Sequence, residues 1–205
     1  MLINNPRAMR APYPAELAEI MSVAQAHQSR QWLAPWPGIT PGATPLIDLP
    51  DAAQRLGLAR LALKDESMRS PLGSFKALGA PVALVRQILR LHPAWEPTAI
   101  LDGRYAAQLA DYTVISATDG NHGRGLAAAA RDAGCRCVIV LHAHVSDERE
   151  QAIAAQGAQI VRLAGNYDES VQEAAHLAAA NGWQVISDTS YAGYEDIPRD
   201  VMQGY

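Results

Sequence analysis

The sequence predicts an α/β protein built on a parallel sheet of βαβ units. From Tyr112 onward, apolar strand-like segments alternate with helical segments, the pattern of strands covered on both faces. The helical segments end at Gly134, Gly157 and Asn181-Gly182, residue types suited to the left-handed turn that closes a helix. A composition of 49% hydrophobic and 19% charged residues over 205 positions is that of an ordinary globular chain. Such a length can form one good-sized core or two small ones.

In chain order, Leu17, Ile20, Met21 and Ala24 keep helical spacing and predict a helix over 15–31. Pro35, Pro37 and Pro41 cannot continue that helix, so 35–42 reads as an extended connector leading to Thr44-Pro45-Leu46. A short helix over 51–56, a strand over 61–64 and a loop come next, then an apolar helix ending near His92-Pro93. The regular part begins with a strand at 112–116 and an alanine-rich helix at 123–133. Strands at 135–141, 158–163 and 183–187 follow, separated by helices at 147–156 and 168–180. Ligands of such sheets bind at the carboxyl ends of the strands. Residues 196–205 start like a helix, with Pro198 near its first turn. Ile197, Val201 and Met202 form an apolar stripe with no later element to receive it, and so short a helix is marginal alone. The ending at Tyr205 therefore reads as a truncation or a fragment.

A formal net charge of −4 and a pI near 5.8 argue against nucleic-acid or anionic-membrane partners. No apolar run approaches the roughly 20 residues needed to span a bilayer. Met1 to Arg10 lacks the apolar stretch of a secretory signal, so the expected compartment is the cytoplasm. Cys135 and Cys137 are two apart on a predicted strand, on one face and poorly placed for a disulfide. They read as buried small hydrophobes; a metal pair would need a second Cys or His cluster of matching spacing. His122, His142 and His144 have no metal-ligand spacing, and His142-Ala143-His144 reads as a polar loop. No metal is expected.

Two short stretches carry candidate chemistry. In Gly73-Ser74-Phe75-Lys76, Ser74 is a good N-cap, which puts Lys76 in the first turn of a helix. The partial positive charge of a helix N-terminus, together with burial, is expected to lower the Lys76 pKa. A neutral amine can condense with an aldehyde. The bland alternative is a capped helix with a solvated lysine. Ser116-Ala117-Thr118-Asp119-Gly120-Asn121-His122-Gly123 lies between a strand and a helix, where α/β sheets bind ligands. Its glycines, with Gly125, allow close backbone approach, and a helix N-terminus favours an anionic oxygen. Asp119 can move protons and Asn121 can donate to a phenolate oxygen; equally, either residue can simply cap the helix. Asp188, in Asp188-Thr189-Ser190 after the fourth strand, is a second acid or base or only a turn aspartate. Lys64-Asp65-Glu66 reads as a strand end and a solvated charge run.

In combination these stretches resemble the fold-type II pyridoxal-phosphate (PLP) family, the tryptophan synthase β-like enzymes. Thr44-Pro45-Leu46, Lys64-Asp65-Glu66, Gly73-Ser74-Phe75-Lys76 and the turn at 120–123 occur in that family's order. Finer features are similar to its diaminopropionate ammonia-lyase branch: Lys76-Ala77-Leu78-Gly79, the run from Ser116 to Gly125, Asp188-Thr189-Ser190-Tyr191, Gly193-Tyr194-Glu195 and Met202-Gln203-Gly204-Tyr205. Threonine dehydratases lack an aspartate at the place of Asp119. The match covers the chain from about Thr44.

The resemblance implies a PLP-dependent β-elimination of ammonia from 2,3-diaminopropionate, ending in pyruvate and ammonia. Lys76 would carry the cofactor through a Schiff base and then act as base for one enantiomer, with Asp119 the base on the other face. Asp188 would assist protonation of the departing amine. Asn121 would contact the PLP 3′-oxygen, and Phe75, Gly120 and His122 would line the cofactor. The partner implied is a small amino acid, with a homodimer in the full-length form.

Residues 1–79 would be the N-terminal part of the large PLP domain, incomplete here; 80–190 would be the small βαβ domain, and 191–205 the start of a return segment. The family's glycine-rich phosphate loop and the residue facing the pyridine nitrogen would come after Tyr205. Pro81 departs from a helix started at Lys76, and the expectation is a short Lys76 turn followed by a new helix at Pro81. The rival readings are a catalytically inactive remnant serving as a binding module and another dehydratase acting on threonine or serine. A nucleotide-binding Rossmann domain is disfavoured by the absence of G-x-G-x-x-G after its first strand.

Overall fold

The computed structural model describes residues 5–7 and 11–205; the reading of Met1 to Arg10 falls largely outside them. The first helical segment is two helices, α1 (Ala15–Ile20) and α2 (Val23–Leu33), not one. Met21 is extended between them, and the Ser22 hydroxyl accepts the Gln25 N–H at 3.2 Å, so a cap restarts the helix where periodicity alone would run on. The connector that follows is pinned by Trp36, which is 3% exposed and donates from Nε1 to Asp132 at 2.8 Å.

Strand β1 (Leu46–Asp48) pairs antiparallel with β2 (Ala62–Lys64) around helix α3 (Pro50–Leu56), making a separate two-stranded ribbon. Lys64-Asp65-Glu66 is more than a solvated charge run. Lys64 Nζ donates to the Thr44 carbonyl at 2.8 Å, and Thr44 Oγ1, Lys64 and Arg69 all converge on the Glu66 carboxylate. Hydrogen bonds from Arg69 and Thr44 hold the Glu66 pKa down to about 2. The charges tie the connector to the 3-10 turn at Glu66–Arg69.

Helix α4 (Lys76–Leu91) runs unbroken through Pro81, so no new helix starts there. The proline removes one bond to the Ala77 carbonyl, and an interior proline costs about 3 kcal/mol. Against that, Val82, Leu84, Val85 and Ile88 on the same helix are all 0% exposed. Each such side chain contributes about 1.5–3 kcal/mol on burial, so packing overrides the local penalty. Two short helices, α5 (Pro97–Ile100) and α6 (Ala106–Leu109), lead into the main sheet.

That sheet has four parallel strands in the order β5-β4-β3-β6, with β3 at Thr113–Ala117, β4 at Arg136–Leu141, β5 at Gln159–Arg162 and β6 at Gln184–Val185. The crossover helices are α7 (Asn121–Ala133), α8 (Asp147–Ala154) and α9 (Tyr167–Asn181). Side chains alternate between two cores. Val114, Cys137, Ile139 and Leu141 face α4 and α7, while Ile115, Ala117, Val138 and Val140 face α9. Both cysteines are free and pack on the α7 side, and burial pushes both thiols up to about 12. Among the described residues no helix is long and apolar enough to cross a membrane, and no group of three or more His, Cys, Asp or Glu could hold a metal ion.

Two residues of the stripe on α10 (Asp196–Met202) do find a partner: Ile197 and Val201 are buried and the helix lies against α4, while Met202 stays 49% exposed. Gly79 makes this possible, since a Cβ there would meet Val201 Cγ1 at 2.7 Å and the Tyr205 ring at 2.5 Å. Asp200 Oδ2 lies 2.6 Å from Arg90 Nη2, anchoring the helix by charge as well.

Candidate active site

The chain order places β4 and β5 on one side of β3 and returns through α9 to put β6 on the other. The crevice at that reversal, beyond the carboxyl ends of β3 and β6, is where open α/β sheets bind ligands. Here it is a cleft of about 580 Å³ lined by Lys76, Asp119, Gly120, Asn121, His122 and Asp188, among others. Six of the seven residues singled out from sequence thus share one cavity. The seventh, Phe75, sits outside its lining, 43% exposed and edge-on to Tyr205 at 5.0 Å.

Lys76 opens α4, and its backbone N–H is held by the Ser74 hydroxyl at 3.2 Å. Gly125 lets α7 come this close: a Cβ there would lie 3.1 Å from the Lys76 carbonyl oxygen. Lys76 Nζ donates to Asp188 Oδ2 at 2.6 Å and lies 5.2 Å from the centre of the Tyr205 ring. The lysine pKa is therefore raised, against the sequence expectation. Burial opposes its charge, but the Asp188 carboxylate outweighs burial, with a smaller contribution from Tyr205. Asp188 is shifted the other way: burial disfavours its charge, yet His122 and Lys76 leave its pKa lowered.

Asp188 contributes stability above the ordinary carboxylate range, lost as pH falls through its depressed pKa. Lys76 contributes below the ordinary lysine range, lost as pH rises through its elevated pKa. Between those limits the pair is ionic. In Asp188→Asn the burial effect on Lys76 stands almost unopposed, so the lysine pKa should drop from above its ordinary value to below it. A titration of the lysine side-chain NMR signals reads this directly; an unchanged Lys76 would rule out Asp188 as the cause.

His122 is buried to 3% exposure in the first turn of α7, and its Nε2–H donates to the Ile186 carbonyl at 2.9 Å. Burial lowers its pKa, while the Asp188 carboxylate and the bond to Ile186 pull the other way, and the ring nitrogen left over is Nδ1. That Nδ1 has no hydrogen-bond partner among the described residues and lies 3.8 Å from Asp188 Oδ2. Gly120 before it has φ of 152°, a conformation that favours glycine, and Thr118 Oγ1 accepts the N–H groups of Gly120 and Gly123 at 3.1 and 3.3 Å. Asn121, at the first position of α7, is exposed toward the cleft.

The sequence reads His142 as part of a polar loop, but the structure brings it to Asp119: His142 Nε2 and Asp119 Oδ1 are 2.7 Å apart. Tyr167 and Arg149 also line the cleft, and Arg149 Nη1 donates to the Asp119 carbonyl at 3.3 Å. The signal for His142 was present, since it follows directly on β4 at the same strand ends that flagged Asp119.

The family model for pyridoxal-phosphate dependent enzymes matches residues 39–204. The diaminopropionate ammonia-lyase of Escherichia coli K12 is 35% identical over 193 residues, 94% of this chain and 48% of that enzyme. The enzyme of the same name from Salmonella typhimurium is 37% identical over 166 residues, 79% of this chain and 41% of that enzyme. The crystal structure of the apo E. coli enzyme superimposes with a TM-score of 0.81 at 34% identity, over 91% of this chain and 50% of that one. The chain spans about half the length of the curated relatives it matches.

Proposed function

The chain belongs to the pyridoxal-phosphate dependent enzyme family, and from that premise we propose that it carries the reacting lysine of a lyase eliminating ammonia from 2,3-diaminopropionate. Its sheet is that of the fold-type II members. The residues present fit the cofactor. The cleft holds a primary amine for its aldehyde, a helix N-terminus near Asn121 for its ring oxygen, and an open approach at Gly120. Buried His122 Nδ1, on the Asp188 side, is also left without a hydrogen-bond partner among the described residues. When bound, the cofactor supplies an electron sink for the charge that develops as the substrate Cα loses its proton.

The observation that carries the proposal is the Lys76–Asp188 pair at 2.6 Å in the same cleft as Asp119. Lys76 Nζ donates to Asp188 Oδ2, so transfer of that proton to the carboxylate would free the amine for condensation and leave Asp188 as an acid for a departing β-amine. Lys76 Nζ and Asp119 then serve as alternative acceptors of the Cα proton, one for each enantiomer. Asn121, Gly120, His122 and, on the rim, Phe75 hold the ring. In the same reading residues 1–79, 80–190 and 191–205 are parts of two domains spanned by α4. The full-length protein is a cytoplasmic homodimer in amino-acid catabolism.

The test is turnover by the full-length enzyme. Pyruvate should form from diaminopropionate far faster than any keto acid from serine or threonine. Turnover of serine or threonine but not diaminopropionate would assign a dehydratase instead, and no turnover of any of them would point to an inactive remnant.

A further inference from the structure

The hydrogen bond between His142 and Asp119 lies outside the proton transfers assigned to Lys76, Asp119 and Asp188. Asp119 lies in the turn after β3, and its side chain is 64% exposed. A carboxylate so exposed is free to sample several rotamers, and ordering it costs entropy. His142 is the opposite: its side chain is 13% exposed and held on several sides. Its Nδ1 accepts the backbone N–H of His144 at 3.2 Å. Its ring meets Tyr167 edge-on at 6.2 Å, and the next residue is tied by the Ala143 N–H to the Gly165 carbonyl at 3.0 Å. Since Nδ1 already accepts, the ring proton lies on Nε2 and points at Asp119 Oδ1. A fixed donor is aimed at an otherwise mobile acceptor, and the second carboxylate oxygen has no hydrogen-bond partner among the described residues.

We propose that His142 is a positioning residue for Asp119: its Nε2–H fixes the carboxylate so that the free oxygen faces the reacting carbon of the enantiomer that Asp119 deprotonates. His142 does not relay the proton, because Nε2 is already protonated and Nδ1 is engaged by the His144 amide. The proton taken from Cα stays on Asp119. Discrimination between enantiomers is thereby set in part by a side chain on the neighbouring strand end. A general base displaced by about 1 Å can lose on the order of 100-fold in rate, so one hydrogen bond suffices for a selective effect.

The inference rests on the reading of Asp119 as a base, and the experiment separates the two. In the full-length enzyme, Asp119→Asn first identifies the enantiomer of diaminopropionate that depends on Asp119. His142→Leu should lower kcat for that enantiomer about 10- to 100-fold with KM within about twofold, and change the other enantiomer by less than about threefold. His142→Gln, which keeps an N–H donor, should restore most of the loss. Independently of activity, long-range 15N–1H NMR of the histidine-labelled protein should show His142 as the Nε2–H tautomer, its signal displaced in Asp119→Asn. Equal loss for both enantiomers, no loss for either, or an Nδ1–H tautomer would overturn the positioning role. If Asp119→Asn spares both enantiomers, the base assignment fails, and with it the proposal that His142 serves it.

Discussion

Lys76→Ala in the full-length enzyme should abolish the near-visible absorbance of lysine-bound pyridoxal phosphate and lower turnover by three orders of magnitude or so. Proton transfer by a positioned side chain is worth about 10²–10⁴-fold, and Lys76 is proposed both to bind the cofactor and to act as a base. No other lysine lines the cleft to replace it. Lys76→Arg separates chemistry from charge. It keeps a cation beside Asp188, which has only 19% of its side chain exposed, but arginine offers no nucleophilic amine. Its absorbance should be lost as in Lys76→Ala while thermal stability stays closer to wild type. A persisting absorbance in either variant would mean that another group binds the cofactor.

The largest effect on stability is expected from Gly204→Ala. A Cβ at position 204 would overlap the Leu78 carbonyl oxygen and lie 2.7 Å from Gly79 Cα, and both obstacles are backbone atoms of α4. Neither can move aside as the end of a flexible side chain would, so the chain after α10 must shift. Overpacking of this kind costs about 1–3 kcal/mol, which for a domain of this size lowers the melting temperature by about 2–12 °C. Tyr205, next in the chain, would move with it, away from Lys76 and from Phe75. Calorimetry on the variant decides the matter: a melting temperature within about a degree of wild type would show that α10 does not need this contact.

Much of this architecture was legible in the residues themselves. The alternation of apolar strands with glycine-stopped helices located β3 through β6 and α7 through α9 to within a few residues, because each signal is local. The ends of β3 and β6 likewise marked Asp119 and Asp188, and the capped turn at Ser74 marked Lys76. The break at Ser22 was misread because apolar spacing ran through it while a single hydroxyl did the capping. Pro81 was misjudged for the opposite reason. Its local penalty is real, but four fully buried side chains on α4 outweigh it.

The amino-acid sequence by itself determined the fold class, the family and the residue types available for chemistry. These follow from periodicity, turn residues and motif order, all written along the chain. Only the tertiary structure decided the state of the site. It placed Lys76 against Asp188, 112 residues away, and so turned an amine expected to have a lowered pKa into an ion-paired ammonium whose pKa is raised. It also turned a polar-loop histidine, 23 residues from Asp119, into that carboxylate's anchor. Electrostatic interaction depends on distance through space and on burial, and neither can be read from spacing along the chain.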